Sequence, residues 1–176
     1  MKINQFTFLC IGLIMASCAP QASDSPSSVP VAKVVTPERH TVDGMHEVMQ
    51  FTDTGREVIV ALDWRKYSTA KDSALELVYG DMSRPPAQYM VDQLTVSIDG
   101  KGVAIPAANY SYLGSQWMNE IKHLGVYKSG SKLNIYVNVG DGSEAWTASY
   151  LIDPATGTLV SHKVYDGAEF HNNFAP

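Results

Sequence analysis

The sequence contains little cysteine. Of its 176 residues, two are cysteines, Cys10 and Cys18, and both lie close to the N-terminus. A folded region beyond residue 18 therefore holds no disulfide bond, no cysteine nucleophile and no cysteine-ligated zinc site. Such a domain must be stabilised by its apolar core and its hydrogen bonds.

Basic residues are also scarce, and they are not clustered. The chain carries 13 Lys and Arg residues against 18 Asp and Glu residues, for a formal net charge of −5 at pH 7. Proteins that bind the phosphate backbone of nucleic acids usually present a concentrated positive surface. The charge balance therefore argues against a nucleic acid as a partner.

Long hydrophobic runs are missing except at the N-terminus. Phe6–Met15 is dominated by apolar side chains, follows Lys2 and precedes the small residues Ala16 and Ser17. This run is shorter than the roughly 20 residues that a helix needs to cross a bilayer core. The layout is instead that of a secretory signal, which we assign to residues 1–17.

The residues around the expected cleavage point carry a family resemblance. Met15-Ala16-Ser17-Cys18 resembles the lipobox of bacterial lipoproteins, although that family prefers leucine where Met15 stands. The resemblance implies cleavage before Cys18, acylation of Cys18 and attachment to membrane lipid in the cell envelope. Because Ala19 rather than aspartate follows, it also implies the outer membrane if the host is Gram-negative. The alternative is that Cys18 ends an uncleaved apolar anchor.

The remaining chain divides into a tether and a domain. Residues 19–41 contain four prolines and four serines and few bulky side chains, so they cannot bury enough apolar surface to offset the entropy of ordering. We assign residues 18–41 to a lipidated N-terminus with a flexible tether. Residues 42–176 are of a length that suits a single β-rich globular domain.

Alternating apolar and polar residues predict antiparallel strands through most of this domain. Asp99-Gly100 lies between two alternating runs, which is a strong hairpin signal. The C-terminal third predicts a three-strand meander that begins at Leu133–Val139. Antiparallel pairing across a tight turn after Val139 sets Val137 near Trp146. Opposite residues in this hairpin share a face, so its apolar face should meet the core and its polar face should meet water.

One segment has the periodicity of a helix. Leu113, Trp117, Ile121 and Leu124 fall within a narrow arc at 100° per residue, and Gly125 follows as a candidate C-terminal cap. The prediction for the whole domain is therefore α+β: a mainly antiparallel β-sheet or small sandwich with one packed helix near residues 111–124.

The polar face of the meander is the candidate binding surface. Asn134, Tyr136 and Asn138 alternate with apolar residues, and tyrosine offers apolar area with a hydroxyl group, which suits interfaces. The competing interpretation is an ordinary sheet surface, where tyrosine is favoured in any case.

Catalytic and metal-binding motifs are absent from the sequence. His46-Glu47 begins like a zinc-protease motif, but Gln50 stands where the second histidine is needed and the segment is predicted to be a strand. His162 lies two residues from both Val160 and Val164, so it shares their strand face and suits a partly buried histidine bonded to a neighbour. We therefore assign no catalytic residue, no metal and no cofactor.

Two hypotheses about function follow. The first is a non-enzymatic, membrane-anchored envelope lipoprotein that binds an envelope protein or a glycan. The second is a hydrolase-like enzyme whose site is assembled from distant residues, with His162, Asp63 and Glu144 as candidates. The second requires a histidine and a carboxylate to converge in a cleft.

Overall fold

The computed structural model describes residues 32–75, 87–116, 122–139 and 145–166. Within these ranges the chain forms two antiparallel sheets that pack face to face as a β-sandwich. No helix among the described residues is long and apolar enough to cross a membrane.

The first sheet has six strands, in the order β2-β3-β4-β5-β6, with β7 paired to β5. Asp99 and Gly100 both have positive φ between β5 and β6, so the predicted Asp-Gly hairpin is confirmed with the backbone that type I′ turns require. The strands are β2 (Arg39–Asp43), β3 (His46–Asp53), β4 (Arg56–Lys66), β5 (Tyr89–Ile98), β6 (Lys101–Val103) and β7 (Gly114–Ser115).

The second sheet has five strands in the order β1-β8-β9-β10-β11, and its last three strands are the predicted meander. Val139 lies opposite Trp146, whereas the tight turn assumed from the sequence had placed Val137 there. A shift of two residues leaves every side chain on its predicted face. The strands are β1 (Lys33–Val34), β8 (Leu124–Ser129), β9 (Lys132–Val139), β10 (Trp146–Asp153) and β11 (Thr158–Asp166).

The core lies between the two sheets. Alternate residues of each central strand point inward, and the buried apolar side chains form one continuous cluster that includes Phe51, Leu62, Ile135, Trp146 and Tyr150. Period-two alternation therefore generates the core, as expected for strands that are buried on one face.

The predicted packed helix near residues 111–124 is wrong, and the domain is a β-fold rather than α+β. Leu113 accepts a hydrogen bond from Val91 next to β7, and Leu124 begins β8 opposite Val137. Residues 117–121, which include Trp117 and Ile121, lie outside the described ranges. Strand pairing with β5 and β9 thus determines the conformation at both ends of a segment whose local periodicity favoured a helix.

Helical structure among the described residues is limited to two short turns. These are α1 (Thr69–Asp72) and a 3-10 turn at Ala107–Asn109. Asp72 fixes α1, because its carboxylate accepts hydrogen bonds from both terminal nitrogens of Arg65 and from the backbone N–H of Ser68. Both turns connect strands and neither packs as a separate layer.

Part of the segment assigned to the tether lies in strands. Lys33–Val34 pairs with β8 in one sheet, and Arg39–Asp43 pairs with β3 in the other. The chain therefore crosses between the two sheets before residue 42, and proline- and serine-rich composition did not reveal these edge pairings. The signal segment and Cys18 lie outside the described residues.

Candidate functional site

The candidate surface lies on the face of β9 that points away from the core. Asn134 is 7% exposed, and Tyr136 and Asn138 are half-buried. These side chains are less exposed than the alternation of the sequence predicted. Their neighbours on β10, Thr147 and Ser149, are buried as well.

Two hydrogen bonds between side chains hold the asparagines in place. Ser149 donates to Oδ1 of Asn134 at 2.6 Å, and Thr147 donates to Oδ1 of Asn138 at 2.7 Å. Both bonds join β9 to β10. Because the carbonyl oxygens accept these bonds, the amide nitrogens remain as donors, and neither donates to another residue in the described part of the chain.

Tyr136 occupies the middle of this surface and lies over β8. It is paired with Gly125, and a Cβ atom built on that glycine would overlap the phenol ring. The ring stacks with Tyr127 at 4.9 Å between centroids and 22° between planes. Burial raises the pKa of Tyr136 to about 12, so the phenol is neutral at physiological pH.

The residues of the hydrolase hypothesis are not brought together where the structure describes them. Asp63 on β4 contacts His46 on β3, with 2.6 Å between Oδ1 and Nδ1, and both side chains are exposed on the outer face of the six-stranded sheet. His162 lies on β11 of the other sheet. Glu144 lies outside the described residues.

His162 has partners other than a carboxylate. Its Nε2 lies 2.9 Å from the Tyr112 hydroxyl and its Nδ1 lies 3.2 Å from the carbonyl oxygen of Ser149. The imidazole stacks on Tyr150 at 4.7 Å. Burial lowers the pKa of His162, so the neutral form is favoured.

A second polar cluster, which sequence reasoning missed, lies inside the sandwich. Glu47 on β3 is 1% exposed, and its Oε1 lies 2.6 Å from Nε2 of His40. The same carboxylate accepts hydrogen bonds from the backbone N–H groups of His123 and Leu124 at 2.9–3.0 Å. Glu47 therefore joins the six-stranded sheet to the start of β8 in the other sheet.

The electrostatics of this cluster favour an ionised carboxylate. Burial acts to raise the pKa of Glu47, but hydrogen bonds from His123, Leu124 and His40 outweigh it and hold that pKa below its ordinary value. The sequence did contain a signal for this buried cluster, since Glu47 alternates in phase with Met49 and Phe51 on the core face of one strand. A charged residue in a core position indicates a buried network.

Trp64 borders the cluster. Its indole ring packs against the His123 imidazole at 5.2 Å, and its Nε1, although buried, has no hydrogen-bond partner among the described residues. Trp146 differs, because its Nε1 donates to the carbonyl oxygen of Gly114 at 3.0 Å. No group of three or more His, Cys, Asp or Glu side chains in the described ranges is arranged to hold a metal ion.

Comparison of the chain with protein-family models, with curated proteins and with solved structures finds no match.

Proposed function

We propose that this chain is a lipid-anchored protein of the cell envelope, and that its β-sandwich is a non-enzymatic binding module. The proposed anchor is an acyl group on Cys18, and the lipobox-like residues before it support this assignment. In a Gram-negative host the expected location is the outer membrane. Several acyl chains on one residue would hold a protein of this size firmly to a bilayer.

The proposed binding surface is the row formed by Asn134, Tyr136 and Asn138. The supporting observation is that each asparagine uses its Oδ1 internally, so that its orientation is fixed while its amide nitrogen stays a donor. Four residues of an extended strand span about 14 Å, and the phenol of Tyr136 lies midway. Two donors and a phenol in a line, with no charged group among the three, suit an extended neutral polar ligand.

A glycan chain is the ligand that this row favours, because its repeating hydroxyl and ring oxygens are acceptors at regular spacing. A peptide segment of another envelope protein is the alternative that the experiment separates. The contact between Glu47 and His40 supports a non-enzymatic role, since Glu47 is enclosed between the sheets and its oxygens accept internal hydrogen bonds.

The anchor is tested by labelling with a radioactive fatty acid. The wild-type chain should incorporate label and fractionate with membranes, and Cys18→Ala should do neither. Equal labelling of the two proteins would contradict the proposed anchor.

The surface is tested by co-sedimentation with purified cell-wall glycan. The double variant Asn134→Ala/Asn138→Ala should lose binding. The matched control is Thr147→Val/Ser149→Ala, which keeps both amide donors but removes the hydrogen bonds that orient them, and it should weaken binding less than the asparagine double variant does. If the wild-type chain does not sediment with glycan but crosslinks at Tyr136 to an envelope protein, the ligand is a peptide. Equal binding by both double variants would reject this surface.

A further inference from the structure

We propose that β2 is a docking edge for a second copy of this chain, and that two β2 strands pair antiparallel across a two-fold axis at Thr41. The six-stranded sheets of the two copies would then join into one continuous sheet. This inference does not depend on the proposed function, because β2 belongs to the six-stranded sheet and the proposed binding row lies on the other sheet.

β2 is an edge strand of its sheet. It pairs with β3 on one side and with no strand of the described residues on the other. Arg39, Thr41 and Asp43 are exposed on the outer face, whereas His40 and Val42 alternate with them and are half-buried. A strand in this position presents backbone N–H and C=O groups that a partner strand can bind.

The charges of β2 are self-complementary. In an antiparallel pair of identical strands, the register that pairs all five residues is centred on Thr41. That register places Arg39 directly opposite Asp43 of the second copy, and the two-fold axis repeats this contact. Directly opposite residues on one face have Cβ atoms about 5 Å apart, so the guanidinium group can reach the carboxylate. Thr41 would lie opposite its own copy, and threonine pairs are also favourable across strands.

Both charged side chains are available for this contact. Arg39 and Asp43 form no ion pair and no side-chain hydrogen bond with another residue in the described part of the chain. Asp43 lies opposite His46 within its own sheet, but the His46 imidazole contacts Asp63 instead. The outer face of β2 therefore carries one cation and one anion that can pair between copies.

Charged residues on an edge strand can instead prevent association. That protection relies on repulsion between copies, as in a strand that carries charges of one sign. Arg39 and Asp43 have opposite signs and lie at equal distances from Thr41, so they attract each other in the fully paired register. The arrangement therefore favours pairing over protection.

The other sheet edges lack this property. β6 has three residues, and β1 and β7 have two each, so these strands offer little backbone to a partner. β11 has nine residues, but a pair centred on His162 places Lys163 opposite Ser161 and creates no pair of opposite charges. Among the described strands, β2 is therefore the edge that fits a second copy best.

Disulfide trapping in the full chain tests this edge. Thr41→Cys is introduced together with Cys10→Ser and Cys18→Ser, so that position 41 holds the sole thiol. Facing Cα atoms of an antiparallel pair lie about 4.5–5.5 Å apart, a separation that a disulfide bond spans. Under mild oxidation the purified protein should form a disulfide-linked dimer on a non-reducing gel. The matched control is Lys101→Cys on β6, an exposed site on another strand of the same sheet, which should remain monomeric.

Charge reversal tests the register. In the Thr41→Cys chain, Arg39→Asp alone or Asp43→Arg alone replaces both ion pairs with like-charge pairs. The yield of dimer at a fixed oxidation time should then fall by about tenfold. The combination Arg39→Asp/Asp43→Arg restores opposite charges and should return the yield to near its starting value. Lys101→Asp makes the same change in charge on β6 and should leave the yield unchanged.

The substituted side chains on β2 and β6 are exposed, so the variants should keep the β-sheet circular dichroism spectrum of the wild type. The proposal is overturned if Thr41→Cys gives no more dimer than Lys101→Cys. It is also overturned if the single charge reversals leave the yield unchanged, or if the combined reversal fails to restore it.

Discussion

Tyr136 on β9 lies across Gly125 on β8, with its phenol ring in the space that a side chain at position 125 would fill. An aromatic residue that covers a cross-strand glycine shields the backbone of the glycine and compensates for its missing side chain. The same contact fixes the ring that we place at the centre of the binding surface. A change at this pair should therefore alter both the stability of the domain and the proposed binding.

A methyl group at position 125 tests the pair directly. Gly125→Ala should displace Tyr136 and destabilise the domain by about 1–3 kcal/mol, which is typical of overpacking. Urea denaturation followed by tryptophan fluorescence measures the change. Gly102→Ala on β6 is the matched control, because a Cβ atom there meets nothing within 4 Å, and it should leave the unfolding midpoint almost unchanged. Equal midpoints for the two variants would mean that Tyr136 does not lie over Gly125.

Replacement of the buried carboxylate tests the link between the sheets. Glu47→Gln exchanges one acceptor oxygen for a donor that faces the N–H groups of β8, so we expect a loss of about 2 kcal/mol or more at pH 7. Chemical denaturation of the variant and the wild type at pH 7 measures this difference.

The same residue should govern part of the acid sensitivity. Because folding holds the pKa of Glu47 below its ordinary value of 4.5, its contribution is complete above that value and is lost as the pH falls through the folded-state pKa. Denaturation between pH 6 and pH 3 should therefore show a steeper loss of stability for the wild type than for Glu47→Gln. Parallel curves would show that Glu47 does not titrate with folding.

Two buried tryptophans provide an internal comparison. The indole N–H of Trp146 donates to Gly114, whereas that of Trp64 has no partner in the part of the chain that the structure describes. Trp146→Phe leaves a buried carbonyl oxygen without its donor, and Trp64→Phe removes an N–H group that is unsatisfied already. We expect Trp146→Phe to cost about 1–3 kcal/mol more than Trp64→Phe, as measured by thermal and chemical unfolding. A larger cost at Trp64 would indicate that its N–H has an acceptor in solution.

The sequence predicted the strands well where alternation was regular and a turn residue marked the end. The Asp99-Gly100 hairpin and the C-terminal meander formed as expected, because a side-chain period of two and a positive-φ turn are local properties. The register of the first meander hairpin was wrong by two residues, since alternation specifies the face of a residue but not its partner.

The packed helix could not be excluded from the sequence, because four apolar residues at helical spacing form the apolar stripe that is typical of an amphipathic helix. Leu113 instead accepts a hydrogen bond from Val91 of β5, and Leu124 pairs with Val137 of β9. Both partners lie outside the segment whose periodicity suggested the helix. The sequence also did not predict that Lys33–Val34 pairs with β8, since this pairing joins residues far apart in sequence.

For function, the sequence alone predicted export and an anchor at Cys18, excluded cysteine chemistry beyond residue 18 and argued against a nucleic acid as a partner, because these inferences rest on residue type and order. Only the tertiary structure decided which polar groups meet. It placed Glu47 between His40 and β8, His162 against Tyr112, and the Asn134 amide against Ser149. Each of these contacts joins residues from different strands or loops. A hydrogen bond requires two groups to lie within about 3 Å, and the spacing of residues along a chain does not say which strands become neighbours.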